Sequence, residues 1–294
     1  MVKFPSIFIN HGGGPLPLLG RQPELVQNMK DIVTNHLKPL KEEPKAIVMI
    51  SAHWEESNPI KITASENPTM LYDYHGFPKE TYEYQYPAPG SPTLAQTIQN
   101  LLGENGITSE LDYDRGYDHG VFIPLMIMYP KANIPVVCVS LDGSLDAKRN
   151  MDIGKALSPL REDGVLILGS GYTFHNMNAF FNPTSKTYDA SNKFNAWLKE
   201  TILNDDDKSS DNDDTNKSKK KDHIEKMNEK FLQWDTLAPG ARISHPREEH
   251  LLPLFMVAAT ASIDGDMPQL IYDTTVDAQT GKVSEHAITG YLFQ

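Results

Sequence analysis

The sequence predicts an α/β fold in which helices flank a largely parallel central sheet. Apolar, β-branched runs of strand length recur at 4–10, 46–52, 134–141 and 165–170. Stretches of helical period separate them, and Gly or Pro stands at many of the boundaries. The near-continuous apolar character of these runs suits strands covered on both faces, as parallel sheets are. A chain of 294 residues suffices for one large domain, and nothing in its middle reads as a linker between two cores.

Taken in order, the first strand is followed by a helix over 24–37, with Leu25, Ile32, Val33 and Leu37 roughly on one face. Pro44 precedes the second strand, and 60–64 is a short third. A helix over 92–102 has Pro92 in its first turn and Gly103 as its stop. A strand over 107–111 and a short buried helix over 121–129, closed by Pro130, come next. The 134–141 strand, a helix over 145–161, the 165–170 strand and a helix over 188–203 continue the alternation. The segment 204–222 breaks it: aspartates, lysines, Ser and Asn with no apolar residue cannot offset their ordering entropy, so a disordered acidic and lysine-rich insertion is expected there. Order resumes with an amphipathic stretch over 224–234. A last helix is expected from Pro246 through Ala259, kinked or broken at Pro253, before closing strands at 269–274 and 287–293.

Composition excludes several functions. The net charge of −12 argues against a nucleic-acid binder, which would carry a basic face. No apolar stretch approaches the ~20 residues of a membrane span. The first residues run straight into a strand, leaving no room for a signal peptide, and the single cysteine, Cys138, fits a reducing compartment; a cytoplasmic location is expected. Cys138 lies in a buried strand pattern and reads as core.

The chemistry lies in the histidines. His11 follows the first strand and opens His11-Gly12-Gly13-Gly14, where glycine permits close backbone approach or positive φ. His53 follows the second strand in Ser51-Ala52-His53-Trp54-Glu55, and His175 comes soon after the 165–170 strand. In open α/β sheets ligands bind beyond the carboxyl ends of the strands, and imidazoles delivered there from separate strands suit a metal ion. His119 follows Asp118, which invites either a carboxylate–imidazole pair or an ordinary helix N-cap, and a titratable imidazole is the usual general acid or base. His250 follows Glu248 and Glu249, either of which can complete a two-histidine, one-carboxylate iron site or merely decorate a helix start. His36, His75, His223, His245 and His286 lack such a context and read as structural or exposed.

Read together, Asn10-His11-Gly12-Gly13, Ser51-Ala52-His53-Trp54, Tyr72 to Pro78, Tyr86 to Pro92, Asp118-His119-Gly120, His175-Asn176 and Glu249-His250-Leu251-Leu252-Pro253-Leu254 occur in one order along nearly the whole chain. In this the sequence resembles the class III extradiol ring-cleavage dioxygenases, in particular their 4,5-DOPA dioxygenase-like branch. The resemblance implies a single-domain α/β fold with a mixed central sheet and a metal at one sheet edge, bound by His11, His53, His175 and His250. It implies that His119 faces the substrate as an acid–base or positioning residue, a role that falls to His175 if that residue is not a ligand. The metal implied is Fe2+ for function, with Zn2+ also found in the branch. Where many relatives carry Ser-Pro after the first His-Gly, this chain has Gly13-Gly14.

The expected function is therefore extradiol cleavage of a catechol, DOPA or a related phenolic acid, with O2. Trp54, Tyr72, Tyr74 and Phe77 are the aromatics expected to wall an aromatic-sized pocket. Two other functions fit the same residues: a zinc hydrolase with His119 beside a zinc-bound water, and a catechol- or metal-binding protein without turnover. The sequence specifies no oligomeric state.

Overall fold

The apolar runs form a central sheet of six strands, four of them parallel. The computed structural model describes residues 2–203, 213–261, 266–275 and 286–294. In chain order the elements are β1 (Ser6–Asn10), α1 (Pro23–Ile32), β2 (Ala46–Ser51), β3 (Glu55–Glu56), β4 (Ile60–Thr63), α2 (Pro92–Glu104), β5 (Ser109–Asp112), α3 (His119–Met128), β6 (Val136–Cys138) and β7 (Leu141–Asp142). There follow α4 (Ala147–Leu157), β8 (Val165–Gly171), α5 (Met177–Phe181), α6 (Ser185–Leu203), α7 (Asp213–Leu232), α8 (Trp234–Leu237), α9 (Ala241–Ser244), α10 (Leu252–Ala261), β9 (Pro268–Thr275) and β10 (Ala287–Phe293). The sheet order is β6-β2-β8-β1-β10-β9; β6, β2, β8 and β1 pair parallel, and β10 and β9 close the sheet antiparallel.

Side-chain alternation divides the core in two. Ile7, Ile9, Ile47, Met49, Leu166 and Leu168 pack against α1 and α3. Phe8, Val48, Ile50 and Ile167 pack on the other face with α2, α4, α6, α7 and α10. Burial on both faces is why the strands read as unbroken apolar runs.

Three expectations are corrected. The 134–141 run is two short strands, because the chain leaves the main sheet after Cys138 and Ser140 N bonds Lys61 O instead. The last helix starts at Leu252 rather than Pro246; Pro253 sits in its first turn, where its missing N–H costs nothing, and marks a start instead of a kink. His250 consequently sits in the turn before α10. Of the expected insertion, 204–212 lie outside the described residues, whereas 213–222 form the first half of α7. Buried Ile224, Met227 and Phe231, at helical spacing, dock the second half, and the polar residues extend it.

Arg161, fully buried, ties the chain ends together. Its guanidinium donates to Phe4 O (2.9 Å) and Phe293 O (3.0 Å) and pairs with Asp266 at 2.6 Å. Arg161→Met is expected to lower the unfolding free energy by about 3–5 kcal/mol in urea titration, since it leaves buried acceptors unmatched. A change under about 1 kcal/mol would show that the ends are held by packing alone.

Candidate metal centre

Three parallel strands deliver the site. His11 directly follows β1, and its backbone N–H donates to Gly171 O at the end of β8. Ala52 N donates to Ser170 O, which bridges β2 to β8 just before His53. Tyr172 N donates to His250 O at 2.9 Å, and a Cβ on Gly171 would lie 2.1 Å from that oxygen. Only glycine at 171 lets the His250 turn approach so closely.

The hydrogen bonds set the tautomers. Ser170 Oγ donates its proton to Gly120 O, so at 3.0 Å from His11 Nδ1 it acts as acceptor, and Nδ1 carries the hydrogen. His250 Nδ1 lies 2.9 Å from Glu249 Oε1, a carboxylate oxygen that only accepts. Both rings thus keep a lone pair on Nε2. The Nε2 atoms of His11 and His53 stand 3.1 Å apart, and one nitrogen from each of His11, His53 and His250 lies within 4.8 Å of the others.

This spacing fits a bound ion. Two nitrogens each about 2.0–2.1 Å from one metal, at about 90–109°, stand about 2.9–3.4 Å apart. Burial, reinforced by the neighbouring imidazoles, holds His11 and His250 well below the usual histidine range, and burial acts likewise on His53 beside His119. Neutral rings with free lone pairs are what a metal requires. Imidazole donors suit iron and zinc alike.

His119 stands beside this cluster, its ring centroid 4.0 Å from that of His53 and 5.2 Å from that of His11. Asp118 does not hold it. Asp118 is buried, accepts from Ser51 Oγ at 2.8 Å and pairs with Arg115 at 3.0 Å. Asp73 is the partner: its Oδ1 accepts from His119 N (2.9 Å) and Nδ1 (2.8 Å), and its Oδ2 lies 3.5 Å from His53 Nδ1. Burial alone would raise the Asp73 carboxyl, but the His119 hydrogen bond and both imidazoles bring it down to about 2.

His175 stacks on His250, with ring centroids 3.4 Å apart and planes 12° from parallel, and its Nδ1 lies 3.4 Å from Glu249 Oε1. It groups with Glu249 and His250, outside the His11–His53–His250 set. Glu249 Oε1 thus accepts from His250 and lies close to His175, and the contact with His175 lowers its own carboxyl despite burial. Glu248 pairs with Arg242 at 2.7 Å, away from the cluster.

A cavity of about 700 Å³ opens over these rings, within the range usual for small-molecule sites. His11, His53, His119, His175 and His250, with Asp73, Arg21 and His75, are polar residues that line it; Tyr74, Phe77, Tyr172 and Phe180 form apolar wall. Burial pushes the Tyr74 phenol up to about 12, so it stays protonated and donates to Thr81 O. Trp54 and Tyr72, expected at the wall, do not line the cavity. Trp54 is buried against Arg115, and Tyr72 donates to Tyr84 O behind Tyr74. Gly14, with φ 57°, lies under Phe77 in a left-handed conformation closed to proline. The residues not anticipated are Asp73, inside a motif valued for its aromatics, and Arg21, Tyr172, Met177, Phe180 and Phe181, on loops and a short helix with no periodic signal. His75, read as structural or exposed, is exposed at this cavity.

Residues 7–287 match the family model described as the catalytic LigB subunit of aromatic ring-opening dioxygenase. The chain is 36% identical to the 4,5-DOPA dioxygenase extradiol of Beta vulgaris, over 92% of this chain and 91% of that protein. It is 37% identical to the protein of the same description from Mirabilis jalapa, over 91% and 90%. The crystal structure of uncharacterized protein JW3007 from Escherichia coli K12 aligns with a TM-score of 0.69 at 25% identity, covering 99% of this chain and 100% of that one. The chain belongs to the class III extradiol dioxygenase family of LigB type. It is thus an enzyme of the ring-cleaving dioxygenase kind, a family whose members are metal-dependent and take a small aromatic substrate and O2. Among the described residues no helix is long and apolar enough to cross a membrane.

The depressed imidazoles give the metal-free protein a defined acid response. His11 and His250 are held well below their usual value and His245, buried near Phe194 and Trp234, is pushed down to about 3. The unfolded chain binds protons at about pH 6.5 while the folded one does not, so stability falls as pH drops below that value. The urea midpoint of metal-free protein is expected to fall steadily from about pH 7 to about pH 5, above the carboxylate range. A flat midpoint would contradict neutral buried rings.

Proposed function

We propose that this protein is an extradiol dioxygenase that opens a catechol ring with O2, and that His11, His53 and His250 hold its metal, iron(II) in the working enzyme. The observation that carries this reading is the adjacency of two different imidazole sets around one cavity: three neutral rings with converging donors, and a separate His119 held by a carboxylate. A metal bound there supplies a Lewis acid with open positions for both catechol oxygens and for dioxygen.

The chain's own groups do the rest. Tyr74, Phe77 and Phe180 enclose the ring and keep bulk water from the reacting face. A catechol binding through both oxygens must lose two protons: the first goes to solvent as the catechol enters, and His119 accepts the second through its Nε2, because Asp73 already occupies Nδ1. Asp73, ionised down to about pH 2, stabilises the imidazolium that forms and fixes the ring's orientation. His119 then returns the proton to the opened product. His175, held on Glu249 and stacked on His250, faces the cavity as a second polar contact for substrate.

Iron(II)-loaded protein is expected to consume one O2 per catechol and release a yellow ring-opened product. With iron bound, no uptake across a broad catechol panel would refute the proposal. Asp73→Asn is expected to keep the metal and lower kcat by about 10- to 100-fold, because the His119 imidazolium loses its charged partner. An unchanged kcat with metal retained would remove the Asp73–His119 pair from the proton path.

A further inference from the structure

The cavity is roomier than a bare catechol requires, and its outer part is apolar. Its floor is imidazole, with His11 and His250 buried. Chelation through both hydroxyls holds the reacting ring on that floor. A substituent para to one hydroxyl then lies on the side of the ring away from the metal. About 700 Å³ leaves space for such a substituent, and what it meets is set by α5.

Among the described residues, Tyr113, Leu232, Leu237 and Leu270 are large apolar side chains exposed away from this cavity. Exposed apolar residues scattered singly are ordinary. Met177 and Phe181 differ: they are 53% and 56% exposed, yet both line the cavity that holds the histidines. They stand four residues apart in α5, which puts them on one helix face. That helix is anchored. Asn176 caps it by accepting from Ala179 N at 3.0 Å, and donates to Ile243 O at 2.7 Å; His175 N donates to Ser244 O at 2.9 Å. Ala179 is buried, and Phe180 packs on Tyr172, Phe174 and His175. Met177 and Phe181 thus form an apolar lip fixed relative to His175, half exposed to water. Arg21 and His75 line the cavity too, but Arg21 is already engaged within the protein.

Resting on the dioxygenase reading above, we propose that the preferred substrate is a catechol carrying an apolar chain para to one hydroxyl, and that Met177 and Phe181 are the specificity-determining residues that cover this chain. A chain seated on the lip removes its own methylenes from water and covers the two exposed side chains at the same time. Leu16, Phe77 and Phe180, which line the same cavity, add apolar surface. Because α5 is held at its start, little ordering entropy opposes the contact.

The probes are 4-methyl-, 4-butyl- and 4-hexylcatechol, uncharged and alike at the reacting ring. With iron-loaded protein, kcat/KM is expected to rise about two- to fourfold per methylene, through KM. The double variant Met177→Ser/Phe181→Ser, changed at exposed positions, is expected to cut the hexyl-over-methyl ratio by about tenfold, and Met177→Leu/Phe181→Leu to keep most of it. A wild-type ratio under about threefold, or the same ratio in the serine variant, would overturn the proposal. Calorimetric binding of methyl- and hexylcatechol to anaerobic metal-loaded protein reads the lip independently of turnover. Chain-dependent affinity that the serine variant loses supports the lip even if no ring is opened. Affinity independent of chain length overturns it even if ring cleavage proceeds. Self-association in sedimentation that the serine variant abolishes, together with a flat alkyl series, would assign the lip to a second copy of this chain and overturn it as well.

Discussion

The Nε2 atoms of His11 and His53 face each other at 3.1 Å. Two lone pairs at that distance repel unless a proton or a cation lies between them, and in water each would be solvated instead. The protein supports the arrangement by occupying the opposite side of the rings: Ser170 takes the Nδ1 proton of His11, Glu249 that of His250, and Asp73 lies beside Nδ1 of His53. Because His11 and His250 are buried, protonation is disfavoured, and converging lone pairs remain. The rest of the site depends on this constraint.

The sheet makes the constraint attainable. Parallel pairing of β1, β8 and β2 brings their carboxyl ends to one edge, so residues distant in sequence arrive together without long loops. Ser170 lies on the central strand of the three and serves His11 from its neighbour. Gly171 lets the turn before α10 cross that strand at contact distance, which brings in His250. His119 arrives differently, at the first turn of α3, and its position is set by Asp73 from an extended loop. The two imidazole sets come from different elements but share Asp73, whose Oδ1 accepts from His119 while its Oδ2 lies 3.5 Å from His53 Nδ1.

Much of this was legible in the residues. Apolar runs of strand length at 4–10, 46–52 and 165–170 mark buried strands, so β1, β2 and β8, and with them His11 and His53, could be placed from sequence, whereas the same signal at 134–141 does not show that the chain leaves the main sheet after Cys138. His119 and His250 follow from motif order, although Pro246 and the carboxylates after it look like a helix start, so the turn holding His250 reads as helix and Pro253 as a kink or break. The partners were not legible. Asp73 lies more than 40 residues from His119 (46), and nothing in Asp118 shows that it is committed to Ser51 and Arg115. Trp54 and Tyr72 drew notice as aromatics, yet their facing depends on which neighbour turns inward, a choice made by tertiary packing. Likewise the polar first half of α7 has no burial signal of its own and is carried by the buried residues that follow it.

Metal stoichiometry across histidine variants tests the central claim most directly. Protein loaded with iron(II) or zinc and desalted should retain one metal per chain. His11→Ala, His53→Ala and His250→Ala should each lose it while remaining folded by circular dichroism, and His119→Ala should keep it. Retention by any of the first three, or loss in His119→Ala equal to theirs, would contradict the division between rings that hold the metal and the ring that moves the proton.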